Sequence, residues 1–405
     1  MLQYQEQIRA LFPGTSDKAF LDAACVSLTP TVAVEAIRRF LDDAMHCPEE
    51  SATAQHIAMD RAREVARREA ARLLNAATEE IALVESTTAG LNAIVSALPL
   101  AEGDNAVICD LEFMQVAIPL VNLQRLRGIE IRPVRHRQGI VTADDFARAC
   151  DERTRLIMVS SVQWSHGLKL DLAALSEIAA ARGAWLIVDA IQQAGADEID
   201  LSRLGIDALA CGGHKWLNAP FGCGFLYVNR RRLPEVEPMT RGYLTLQAPD
   251  GGWGTYFSTP TITPFRDYRY VSDAAKFETG GTSNYPGAIG LGASLRLINQ
   301  IGPPAIEDHV RDLSRVLIEE LKRLGLSVVT PDDDRMRAGI VTFRISDDPA
   351  EDPELVKFLS ERRIYVSARY TAGIGGTRVS VHFFNDRDDL ARLIEGVRDY
   401  LARRD

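Results

Sequence analysis

What most constrains this chain is an exchange of two hydrophobic periods. Between residues 81 and 228, seven short apolar or β-branched runs, "IALV", "NAVICD", "IEIRPV", "RLIMVSS", "AWLIVD", "DALAC" and "GCGFLYV", are interleaved with stretches of helical spacing at 89–98, 114–126 and 172–182. Strands alternating with helices imply a mainly parallel sheet covered on both faces. Two further helices, 33–45 and 60–74, precede it. From about Asn299 the texture changes, because Gly302-Pro303-Pro304 interrupts helical spacing. A long helix (305–324), strands near "GIVTFRI", "IYVS" and "RVSVHF", a helix between the first two and a last helix from Asp388 read as an α+β tail. The expected organisation is an N-terminal segment (1–30) packed on the small domain, a large domain (31–300) and a small C-terminal domain (301–405).

Charge narrows the partners. A net charge of -10 does not suit a nucleic-acid or anionic-membrane surface, which needs clustered cations. The Arg-rich stretch "RAREVARREAAR" reads as a solvated helix face. No basic leader followed by an apolar core opens the chain, and no apolar run approaches the roughly 18 residues of a membrane span, so a cytoplasmic setting is expected. Six cysteines lie scattered without CxxC or metal-type spacing; reduced, mostly buried thiols and no bound metal are the expectation.

Three segments carry chemistry. In "DALACGGHKWLNAP", Lys215 follows two glycines and His214 behind an apolar strand. A lysine that loses hydration has a lowered pKa and a neutral amine able to attack a carbonyl. The run "AWLIVDAIQQAG" ends a buried strand in Asp189, with Gln192 three residues on. Strand carboxyl ends are where open α/β sheets bind ligands, and a carboxylate there can hold a heteroaromatic nitrogen protonated. The segment "ESTTAGLNAI" sets Ser86, Thr87 and Thr88 at a helix N-terminus, a ready anion site. Taken singly, each also suits ordinary structure: a turn lysine, an aspartate capping a turn, a simple N-cap. Together they supply a phosphate cradle, a partner for a ring nitrogen and an amine for an aldehyde, which are the needs of pyridoxal 5'-phosphate.

Asp189-Ala-Ile-Gln192, Gly195 and "GGHKW", with "FLDAACVSLTP", "KFETGGTSNYPGAIGLGASL" and "TRVSVHFFNDRDDLARLIEGV" in this order, resemble the class V aminotransferase group over nearly the whole chain. That group includes cysteine desulfurases, isopenicillin N epimerase-like proteins and kynureninases. The resemblance implies fold type I of the pyridoxal-phosphate-dependent transferases, an α/β large domain with a mainly parallel seven-stranded sheet plus a smaller α+β domain. It implies that Lys215 bonds the cofactor aldehyde and later moves protons at Cα, that Asp189 pairs with the ring nitrogen and that Gln192 bonds the ring's phenolic oxygen. Thr88, with Thr87 and His214, would hold the phosphate, Thr282 would reach the phosphate of a neighbouring subunit in a homodimer, and Arg378 would grip the substrate α-carboxylate.

The departures bear on the reaction. Where desulfurases carry a ring-covering histidine, "DLEFMQ" has Phe113, which stacks but carries no proton, as in the epimerase-like and kynureninase branches. The stretch "SARYTAGIGGTRVS" holds no cysteine to take sulfur as a persulfide. The asparagine facing the ring becomes Ser161 and the serine before Gly-His-Lys becomes Gly212, with Gln163, Trp164 or His166 available to compensate. His214 in place of tyrosine weakens the kynureninase comparison. The implied function is chemistry at Cα of an amino acid, aminotransferase- or epimerase-type, with Tyr256 or Tyr370 as a second acid. The alternatives are a C–S lyase or selenocysteine lyase without a persulfide cysteine, and a cofactor-binding scaffold of reduced activity. The aromatic segment 243–270 would line the substrate entrance or pack on the dimer partner.

Overall fold

The computed structural model describes residues 2–403. The chain opens with α1 (Gln5–Ala10), β1 (Ala19–Phe20), α2 (Thr31–His46) and α3 (Ala52–Leu74). Helix α3 begins eight residues before the periodicity alone suggests, because the Ser51 hydroxyl accepts the Ala54 amide at 3.1 Å and caps the first turn. Its arginines are not simply solvated. Arg67 is buried, 2.7 Å from Glu278 and bonded to the Ile81 carbonyl, while Arg63 lies 2.5 Å from Glu278. The Arg-rich stretch thus ties helix α3 to the sheet edge and to residues 273–278.

All seven apolar runs form strands of one sheet: β2 (Ile81–Val84), β3 (Asn105–Cys109), β4 (Glu130–Val134), β5 (Thr154–Ser160), β6 (Trp185–Asp189), β7 (Ala208–Gly212) and β8 (Gly224–Val228). Between them run α4 (Thr87–Ala97), α5 (Met114–Arg127), α6 (Ala143–Ala149) and α7 (Leu172–Arg182). The strand order is β2-β8-β7-β6-β5-β3-β4, and β8 alone runs antiparallel to its neighbours. Strands β2, β3, β6, β7 and β8 are buried throughout, which is why they read as continuous apolar runs. Strand β4 is the partly exposed edge, where Glu130, Arg132 and Pro133 interrupt the apolar pattern and discourage further pairing.

After α8 (Gly252–Phe257), helix α9 (Tyr285–Ile301) packs against α2 and α3. Gly302 alone separates it from α10 (Pro303–Arg323). Strands β9 (Ser327–Val328), β10 (Ile340–Arg344), β12 (Ser367–Thr371) and β13 (Ile374–Ser380) form an antiparallel sheet ordered β12-β13-β10-β9. Helices α11 (Glu351–Ser360) and α12 (Arg387–Leu401) complete this part. Strand β1 pairs in parallel with β11 (Ile364–Tyr365), and Arg9 bonds the Asp389 carboxylate at 2.7 Å. One continuous apolar cluster runs from Phe12 through the β5 and β6 strands to Val397. All six cysteines are free thiols, four of them buried. Among the described residues no helix is long and apolar enough to cross a membrane.

Candidate active site

Parallel strands β5, β6 and β7 end on the same side of the sheet, and their carboxyl ends open into a cavity of about 370 Å³. Asp189 closes β6, Ser160 closes β5, and the turn after β7 delivers His214 and Lys215. The N-terminus of α4 supplies Ser86, Thr87 and Thr88 to one end of the cavity; β12 and β13 supply Arg369 and Arg378.

Burial sets the electrostatics here. It pushes the Lys215 amine down to about 8; the Asp189 carboxylate pulls it up and the Arg378 cation presses it further down. Burial pushes Asp189 up to about 6, opposed by the Ile191 amide, 2.9 Å from Oδ1, and by Lys215. His214, stacked on Phe221 with centroids 4.9 Å apart, is pushed down to about 4 by burial and by Lys215, and so is neutral at pH 7. The two glycines have a packing reason. A Cβ on Gly212 would stand 3.1 Å from Thr87 Oγ1, and one on Gly213 would stand 2.9 Å from Ala219 Cβ. They let the strand end close against the start of α4 and against the 219–223 turn.

Thr87 uses its hydroxyl to accept the Gly212 amide at 2.8 Å, so it joins α4 to β7 directly. Ser86 caps α4 by accepting the Ala89 amide at 3.1 Å. The exposed Thr88 lines the cavity at the same terminus. Phe113 packs edge-to-face on Trp164 with centroids 5.2 Å apart, and both rings line the cavity. Gln192 is held at both ends of its amide: Oε1 accepts the Trp216 indole N–H at 2.8 Å and Nε2 donates to the Ala24 carbonyl at 3.2 Å.

Eight of the ten residues singled out from sequence, namely Lys215, Asp189, Gln192, His214, Thr87, Thr88, Phe113 and Arg378, meet in this cavity; Ser161 and Thr282 lie outside its lining. Side chains alternate along a strand, so adjacent positions face opposite ways, and here the cavity receives Ser160. The buried Ser161 hydroxyl donates back to the Asp189 carbonyl at 3.4 Å. Thr282 is exposed. Of the residues expected to compensate, Trp164 lines the cavity, whereas Gln163 bonds Glu112 and His166 bonds the Gly139 carbonyl. Tyr370 donates to Asp352, and neither it nor Tyr256 is a lining residue.

Sequence reasoning missed several contributors. Cys25, Ser160 and Arg369 line the cavity directly. Glu112 lies buried behind Ser160, accepting its amide at 3.0 Å, its hydroxyl at 2.5 Å and the Gln163 amide at 3.0 Å. Burial pushes the Glu112 carboxyl up to about 7. Its signal was present in "DLEFMQ", an acidic residue with apolar neighbours just past a buried strand.

The donor set fits pyridoxal phosphate. A desolvated lysine amine, a carboxylate, a helix N-terminus with two threonines and a phenyl ring all line the same cavity. In the same lining the buried Arg378 keeps Nε without a partner while NH1 bonds the Trp164 carbonyl at 2.9 Å and NH2 bonds Asp22 at 3.0 Å. That atom is an unmet donor of the kind a carboxylate satisfies.

Residues 19–393 match the model of the aminotransferase class-V family. A probable cysteine desulfurase of Methanothermobacter thermautotrophicus is 29% identical over 97% of both chains. An uncharacterized protein of Schizosaccharomyces pombe is 30% identical over 82% of this chain and 73% of its own. The apo cysteine desulfurase of Thermococcus onnurineus superposes with a TM-score of 0.86 at 25% identity, covering 100% of this chain and 99% of its own. A cystine C–S lyase, solved with its product cysteine persulfide, superposes at 0.83 and 25% identity over 95% of this chain and 98% of its own. The chain belongs to the aminotransferase class-V family and is a pyridoxal-phosphate-dependent enzyme of fold type I.

Proposed function

We propose that this enzyme removes the Cα proton of an amino acid and expels a sulfur-bearing β-substituent, releasing the sulfur without storing it on the protein. The observation that carries this reading is the β12–β13 connection. It consists of Ala372 and Gly373 alone, and no cysteine stands between Arg369 and Arg378 to accept sulfur. The relatives named cysteine desulfurase and the solved C–S lyase support a sulfur-bearing substrate.

Bound pyridoxal phosphate supplies the electron sink for Cα. Asp189 would keep the ring nitrogen protonated, and Gln192, fixed by Trp216, would bond the phenolic oxygen. Thr88 and Thr87 at the α4 terminus would hold the phosphate, and Phe113 would pack on the cofactor. Arg378 binds the α-carboxylate and so orients the Cα–H bond. Lys215, whose amine sits at about 8, is then the group that takes the proton. Phe113 carries no proton, so in this reading Lys215 is the base of the reaction. Transamination, which also needs only Lys215, is the second reading; epimerisation needs another acid across Cα, and Ser160 in front of Glu112 is the group in reach of the lining. A homodimer with Thr282 offered to the partner's phosphate, in a cytoplasmic setting, belongs to the same reading.

The test is product analysis of the cofactor-loaded enzyme with L-cysteine and L-cystine. Pyruvate and ammonia in equal amounts are expected. Alanine with sulfur left on the protein overturns the proposal, a 2-oxo acid dependent amino transfer installs the second reading, and a visible band that no amino acid perturbs points to the scaffold alternative. Light scattering at about twice the chain mass checks the homodimer.

A further inference from the structure

The β12–β13 hairpin brings two arginines to the cavity. Its register sets Ser367 opposite Arg378 and Arg369 opposite Gly376. Arg369 therefore lies two residues along from the residue facing Arg378, on the same face of the hairpin, and such diagonal neighbours stand about 7–8 Å apart. Both arginines line the cavity beside Lys215.

Their surroundings differ. Arg378 is buried and answered: Asp22 stands 3.0 Å from NH2, and the Ser367 hydroxyl accepts from it at 3.2 Å. Arg369 is partly exposed; NH1 bonds the adjacent Ala368 carbonyl at 2.8 Å and NH2 meets the Cys25 sulfur at 3.5 Å. Among the described residues no carboxylate stands within 4.0 Å of it. Burial and the charge of Arg369 push Arg378 down against the pull of Asp22.

The charges lining the cavity are three cations, Lys215, Arg369 and Arg378, and one carboxylate, Asp189. In the proposed reading Asp189 would serve the ring nitrogen, while Arg378 holds Asp22 on NH2 and would take the α-carboxylate on Nε. Arg369 stays unanswered. A guanidinium held toward a ligand cavity is a bidentate carboxylate-type receptor. We propose that the substrate is an amino acid carrying a second anionic group on its side chain, which Arg369 binds while Arg378 holds the α-carboxylate. This rests on the amino-acid reading of the site. A short acidic or oxidised-sulfur side chain and the distant carboxylate of a disulfide amino acid share this chemistry.

The test is calorimetric binding of non-reacting acids to the cofactor-loaded enzyme, with the amino-acid pairs compared as competitors for the same site. Succinate is compared with butyrate, L-aspartate with L-asparagine, and L-cystine with S-methylthio-L-cysteine. The dianion is expected to bind at least about tenfold more tightly in the succinate pair and in one amino-acid pair; which pair tells the short side chain from the long. Arg369→Gln should remove the preference within each pair, and Arg369→Lys should keep part of it. Equal affinities within all pairs, or a Gln variant that weakens both members alike, overturn the inference. Absence of a cofactor band sinks the amino-acid reading and this inference with it, whereas an intact band without discrimination sinks this one alone.

Discussion

The Trp216 indole donates to Gln192 Oε1 at 2.8 Å, so the residue immediately after Lys215 positions the amide expected beside the cofactor ring. Trp216 is fully buried and also packs edge-on to His382, with centroids 5.0 Å apart. Trp216→Phe removes the donor and leaves a void, for an expected loss of about 1–3 kcal/mol in urea unfolding. The pH titration of the visible band should also move, because Gln192 loses its orientation. A band that titrates as in the wild type would show that Gln192 does not bond the ring.

The Ala372-Gly373 turn offers a cleaner stability test. Both residues have positive φ, +47° and +78°, in a two-residue connection between antiparallel strands. Glycine tolerates that region; alanine is strained in it, and Asn-Gly is the pair such turns favour. Ala372→Asn should therefore stabilise the protein by about 0.5–1 kcal/mol, read from the urea midpoint at unchanged slope. A lower midpoint would mean that the strain is relieved elsewhere.

Why some of this was legible and some not follows from where the information resides. Strands buried on both faces must be continuous apolar runs, so β2 to β8 stood out, and Asp189 and Lys215 were found because strand ends are where such sheets bind ligands. The two-residue strands β1 and β9 exist through pairing with distant segments, and two residues carry no period to detect. Choosing between Ser160 and Ser161 was a question of register: β5 is buried along nearly its whole length, so no polar face marks which side chain turns to the cavity. Arg369 was missed for the same reason, since its place beside Arg378 depends on the turn that sets the hairpin register. Arg67 was misjudged because a buried partner, Glu278, lies more than two hundred residues away in sequence.

Glu112 should make the fold pH-sensitive. Its folded carboxyl is raised by burial from 4.5 to about 7, so between those values the unfolded chain releases a proton that the folded protein keeps. Its contribution is full below about pH 4.5 and is lost as pH rises through 7. Glu112→Gln, neutral at every pH, should flatten this dependence, gaining about 1–3 kcal/mol on the wild type between pH 5 and pH 7.5 in urea unfolding. Parallel pH profiles for the two proteins would mean that Ser160 and Gln163 hold an ionised carboxylate in the fold.

Lys215 sets the last prediction, in which function and stability oppose each other. Its amine falls from 10.5 to about 8, a gap of about 2.5 pH units, because burial outweighs the Asp189 carboxylate. Between those values the unfolded chain binds a proton that the folded chain does not, so stability climbs as pH rises from about 8 to 10.5 and the whole penalty is present below 8. At 1.36 kcal/mol per unit the gap corresponds to about 3 kcal/mol, and part is returned because losing the cation raises Asp189 further. Lys215→Met, in protein without cofactor, should therefore be about 1–3 kcal/mol more stable than wild type at pH 7 in urea unfolding, with the difference closing by pH 10. The same variant should develop no visible band with pyridoxal phosphate at any pH. A wild-type protein more stable than the variant at pH 7 would mean that the lysine is not desolvated, and the physical basis for its reactivity would fall with that result.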